Sequence, residues 1–127
     1  MPIEHIALQV RDLEAARAFF LHYFQALSND VYHNPKTGLR TYFLTFGNGA
    51  RLELMARPLP EGSPVVPSSL GLIHLAFRLE SHAAVDTLTT QLRADGYPVT
   101  SEPRVTGGGY YESCVLGPEG VRLELMV

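Results

Sequence analysis

One cysteine, no tryptophan and no long apolar run mark this chain of 127 residues. A single thiol, Cys114, cannot close an intrachain disulfide, which fits a reducing compartment. No stretch reaches the roughly 18 apolar residues that a membrane helix needs. The opening Met1-Pro2-Ile3-Glu4 lacks the basic-then-apolar build of a secretory signal. Positive charge is scarce as well: 10 Lys and Arg stand against 13 Asp and Glu, for a formal charge of −3. That leaves no basic field to hold phosphates, so neither nucleic acid nor a membrane is an expected partner. The expectation is a cytoplasmic globular protein of one domain, residues 1–127. Its 46% of hydrophobic residues suffice for a core at this length.

What is present is a repeat. Arg51-Leu52-Glu53-Leu54-Met55 recurs letter for letter as Arg122-Leu123-Glu124-Leu125-Met126. Upstream, Ile3-Glu4-His5-Ile6-Ala7-Leu8 is echoed by Leu72-Ile73-His74-Leu75-Ala76-Phe77. Glu53 follows His5 by 48 residues and Glu124 follows His74 by 50. Between the copies, Pro58, Pro60, Pro64 and Pro67 forbid a regular helix or central strand. The organisation is therefore module one at 1–57, a linker at 58–70 and module two at 71–127.

Each module reads as βαβββ, an α+β fold. In the first, residues 3–10 alternate as a strand. Asp12 caps a helix whose apolar stripe is Leu13, Ala16, Phe20, Tyr23, Phe24 and Leu27. Strands follow at 31–32, 40–46 and 50–56. In the second, 72–79 is a strand, and Ser81 caps a helix with Val85, Leu88 and Leu92 inward. Asp95-Gly96 stops that helix. Strands follow near Val99 and at 110–116 and 121–127. Gly107-Gly108-Gly109 lacks the Lys and the strand–helix context of a phosphate loop. His22, His33 and His82 have no partner of their kind in the other module and read as surface or local structure. Cys114 reads as a small core residue.

Side chains alternate across a strand, so Leu52 and Leu54 share one face and Arg51, Glu53 and Met55 the other. The aliphatic faces suit the helices, which leaves His5, Glu53, His74 and Glu124 on the opposite faces. If those faces are open to solvent, the four are ordinary surface polars. If they enclose a cavity, two carboxylates need compensation. Either Arg51 and Arg122 pair with them, or a divalent cation does. Imidazole nitrogen with carboxylate oxygen suits Zn, Ni, Mn, Co or Fe. The cation also accounts for the duplicated histidines, and four ligands would leave positions for substrate.

These four positions carry a resemblance, together with Gly117-Pro118-Glu119-Gly120-Val121-Arg122-Leu123-Glu124-Leu125. That run is similar to a D-P-[DE]-G-x-x-x-E-[LI] ending, with Gly117 in place of the Asp. The chain resembles the vicinal oxygen chelate superfamily, which includes glyoxalase I, bleomycin-resistance proteins and extradiol dioxygenases. The resemblance implies paired βαβββ modules in a half-open mixed β-barrel with outer helices, one divalent metal per site and a homodimer. A set of two His and two Glu is most similar to that of glyoxalase I. It implies a lactoylglutathione-lyase-like lyase or isomerase acting on a small metal-chelating substrate through a metal-stabilised enediolate. In that reading His5, Glu53, His74 and Glu124 hold the metal, and Glu53 and Glu124 are the proton-accepting candidates. Gln9 stands where bacterial glyoxalase I usually carries Arg, and Arg57 where the family often has Asn. With Tyr111 they are the substrate-binding candidates. An iron-dependent dioxygenase and a non-enzymatic, ligand-sequestering resistance protein are the alternatives.

Overall fold

The computed structural model describes residues 3–63, 72, 74–107 and 109–127. Two compact units divide the chain, Met1–Pro64 and Val65–Val127. The first contains β1 (His5–Gln9), α1 (Leu13–Phe24), β2 (Leu27–Ser28), β3 (Tyr32–His33), β4 (Arg40–Thr45) and β5 (Arg51–Ala56). The second contains β6 (Leu75–Arg78), α2 (His82–Ala94), β7 (Val99–Val105), β8 (Tyr111–Leu116) and β9 (Arg122–Met126), with a 3₁₀ turn at Pro118–Gly120. Both units are α+β; the second has the βαβββ order expected of each module, and the first adds one further short strand to it. Neither helix among the described residues is long and apolar enough to cross a membrane.

The two sheets share one topology. The first runs β1-β5-β4-β2, with the short β3 also on β4, and the second runs β6-β9-β8-β7. In each unit the first strand lies parallel to the last, and the remaining ladders are antiparallel. The registers also match. Ala7 pairs with Glu53 and Ala76 with Glu124, so both repeats occupy equivalent places.

Local chemistry sets the helix bounds. The Asp12 carboxylate accepts from the Ala15 N–H at 2.9 Å, and the Ser81 hydroxyl accepts from the Ala84 N–H at 3.1 Å. Gln25 adopts a left-handed φ of 53° and ends α1. Leu27, expected on the helical stripe, therefore lies on β2 and is 73% exposed, while Phe19 takes a place in the core. Phe20, Leu44 and Leu54 are fully buried in the first unit, as are Val85, Leu92, Val115, Leu123 and Leu125 in the second. Leu88, expected inward, is only half-buried, and Thr89 is buried instead.

Thr89 is satisfied in that apolar setting by two contacts. Its hydroxyl lies 2.6 Å from the Val85 carbonyl and 2.7 Å from the buried Ser113 hydroxyl. Thr89→Val strands Ser113 and is expected to cost about 1–3 kcal/mol. Ser113→Ala leaves Thr89 its carbonyl partner, so chemical denaturation should show the smaller loss there, and adding Ser113→Ala to Thr89→Val should recover stability. At Gly38, φ is +73° and an added Cβ would sit 2.8 Å from Pro58 Cγ. Gly38→Ala combines a left-handed backbone with that clash, so a loss of at least about 1–2 kcal/mol is expected in the same assay.

Candidate metal-binding residues

Strand register settles which residues share a face. In the first unit His5, Ala7 and Gln9 line up with Arg51, Glu53 and Met55, and Phe43 pairs with Glu53 from β4. The opposite face presents Leu52, Leu54, Tyr42 and Leu44 towards α1. In the second unit Ala76, Glu124, Cys114 and Glu112 share one face, and Leu123, Leu125, Ser113 and Val115 take the side of α2. The candidate carboxylates thus lie away from the helices.

Within the first unit His5 Nε2 lies 3.8 Å from Glu53 Oε2, and within the second His74 Nδ1 lies 3.2 Å from Glu124 Oε1. Both carboxylates are largely withdrawn from water, each 17% exposed. Arg51, the competing partner for Glu53, is turned elsewhere. It pairs with Glu4, and its guanidinium lies 4.2 Å above the Phe43 ring. Among the described residues neither Glu53 nor Glu124 has a Lys or Arg partner. Two ligand atoms on one cation, each about 2.1 Å from it, stand roughly 3.0–3.5 Å apart. The His74–Glu124 pair already has this separation, and His5–Glu53 is a few tenths of an ångström wider. Each pair fits as part of a divalent-metal donor set. Among the described residues the four come together as pairs, and no group of three or more His, Cys, Asp or Glu forms a metal cluster.

Neighbours of the pairs were less legible in the sequence. Glu4 contacts His5 Nδ1, and that bond with Arg51 beside it holds the Glu4 carboxyl below the usual range. Cys114 Sγ lies 3.9 Å from Glu124 Oε1, and burial and then the Glu124 charge raise its thiol pKa, so it stands as a neutral S–H. Only the register, in which Cys114 opposes Glu124 and Phe43 opposes Glu53, reveals these as equivalent positions.

The substrate-binding candidates fare differently. Gln9 lies on the His5 face at the end of β1 and is exposed. Arg57, one residue beyond β5, is also exposed. Tyr111 is on the helix side of β8, away from Glu124. Its hydroxyl donates to Asp86 at 2.6 Å and its ring stacks on His82 at 4.2 Å. That bond first, and burial second, raise the Tyr111 pKa.

The comparisons agree with this architecture. The model of the Glyoxalase/Bleomycin resistance protein/Dioxygenase superfamily matches residues 2–125. The chain belongs to that superfamily. It is 31% identical over 128 residues to the uncharacterized protein YqjT of Bacillus subtilis (strain 168), covering 98% of this chain and 97% of YqjT. A possible glyoxalase from Bacillus cereus superposes with a TM-score of 0.73 at 27% identity, over 100% of this chain and 99% of the other. The trypanothione-dependent glyoxalase I of Leishmania major superposes with a TM-score of 0.79 over 99% of this chain and 86% of the other. At 22% identity that last likeness concerns the fold alone.

Proposed function

We propose that the protein is a divalent-metal-dependent lyase or isomerase of the glyoxalase I type, with His5, Glu53, His74 and Glu124 as metal ligands. The observation that carries this reading is the pair of half-buried carboxylates, each supplied with an imidazole and, among the described residues, neither with an Arg or Lys. Such carboxylates favour a cation of higher charge than an imidazole can provide. The reading is supported by superfamily membership and by the repeat, which pairs each Glu with an alanine that follows the candidate His by two residues.

A bound divalent cation would polarise a substrate oxygen and acidify the neighbouring C–H. The chain's own residues would do the rest. His5 and His74 act as neutral donors. Glu53 or Glu124 accepts the proton from substrate carbon and returns it at the adjacent carbon, giving net isomerisation without an external oxidant. Gln9, on the His5 face of β1, and Arg57, just beyond β5, are the exposed substrate-binding candidates, and Arg57 suits an anionic substrate group. The same reading expects a cytoplasmic homodimer.

The test is an assay with the hemithioacetal of methylglyoxal and glutathione on nickel- and zinc-loaded protein, with product thioester followed by absorbance. Turnover by either form supports the proposal, and absence of turnover with both removes the glyoxalase I assignment. Iron content with oxygen consumption would instead place the chain among the dioxygenases.

A further inference from the structure

We infer that Glu4 is a positioning residue that fixes the tautomer and ring orientation of His5; its link to the metal rests on the reading above. A carboxylate only accepts, so the contact between Glu4 Oε2 and His5 Nδ1 requires the proton on Nδ1. In the neutral ring Nε2 is then the acceptor, and it is the nitrogen that faces Glu53. Two acceptors facing each other at 3.8 Å leave room for a cation between them and cannot hydrogen-bond to one another.

The rest of the cluster holds Glu4 in place. Arg51 pairs with its other oxygen, lies over the Phe43 ring, and neutralises the added charge beside Glu53. The His5 ring stands edge-on to Phe43, with centroids 5.4 Å apart and planes at 88°. One aromatic ring thus carries both the guanidinium and the imidazole. The second unit differs at this position. The residue before His74 is Ile73, which offers no side-chain acceptor, and there Nδ1 is the nitrogen turned to the glutamate. A second carboxylate on the free N–H of a ligand histidine is a general way to orient the ring and raise its basicity.

The experiment uses whole metal-free protein labelled with ¹⁵N at histidine, in wild-type, Glu4→Ala and Glu4→Gln forms, at a pH where imidazoles are neutral. Long-range ¹H–¹⁵N spectra read the tautomer directly. His5 is expected as the Nδ1–H form in wild type and in Glu4→Gln, whose amide oxygen still accepts. In Glu4→Ala it should revert to the Nε2–H form that predominates in free histidine. Zn²⁺ affinity, measured by competition with a chromophoric chelator, should fall about 10–100-fold in Glu4→Ala and less in Glu4→Gln. An unchanged tautomer in Glu4→Ala, or an Nε2–H His5 in wild type, overturns the role of Glu4. Absence of Zn²⁺ binding by wild type defeats the metal reading, while the tautomer comparison, made without metal, still decides the inference.

Discussion

Glu53→Gln and Glu124→Gln should each lower affinity for Zn²⁺ or Ni²⁺ by more than about 100-fold, since loss of an orienting neighbour alone costs 10–100-fold. The amide keeps the shape and removes the charge, and among the described residues both carboxylates lack any Arg or Lys that could share the deficit. Stability separates this from a folding defect. A metal at 100 times its dissociation constant should stabilise wild type by about 2.7 kcal/mol. That increment should vanish in either variant. The metal-free variants should unfold no earlier than metal-free wild type, because a half-buried carboxylate is harder to keep from water than an amide. Wild-type metal content and thermal shift in both variants would falsify the ligand assignment.

Phe20→Ala should lose about 3–5 kcal/mol, the usual range for emptying a packed aromatic site. The midpoint of thermal unfolding should drop by roughly 10–20 °C for a chain of this size. Phe20 is fully buried and its ring lies 6.2 Å from Phe46 and 5.7 Å from Phe24. Leu27→Ala is the control. The sequence places Leu27 on the same stripe, the structure puts it on an exposed strand, and its loss should stay within about 0.5 kcal/mol. Comparable losses at both positions would mean that α1 runs on past Phe24.

The contrast between Phe20 and Leu27 shows where the sequence was readable. Alternation and caps located both helices and the strands that carry the repeat, because Asp12 and Ser81 act locally and Leu52, Leu54, Leu123 and Leu125 obey a period of two. β2 has two residues, too short for a period to register, and the equally short β3, expected at 31–32, falls at Tyr32–His33. β7 was seen only near Val99, since Val99–Val105 carries Pro103 and an irregular register that breaks alternation. Identical pentapeptides exposed Glu53 and Glu124. Glu4 escaped notice because its role comes from a ring nitrogen and a guanidinium brought in from another strand. The side of the sheet on which Tyr111 falls is illegible for a related reason: which way β8 turns its side chains is decided by β9, not by its own residues.

The ladder order has a consequence for synthesis on the ribosome. In each unit the strand translated last is the one inserted in the middle, β5 between β1 and β4 and β9 between β6 and β8. Until Arg51–Ala56 has emerged, β1 has nothing to zip against, and β6 waits in the same way for Arg122–Met126. A nascent chain stopped before Arg122 would lose a keystone rather than a fringe, and Glu124 would go with it.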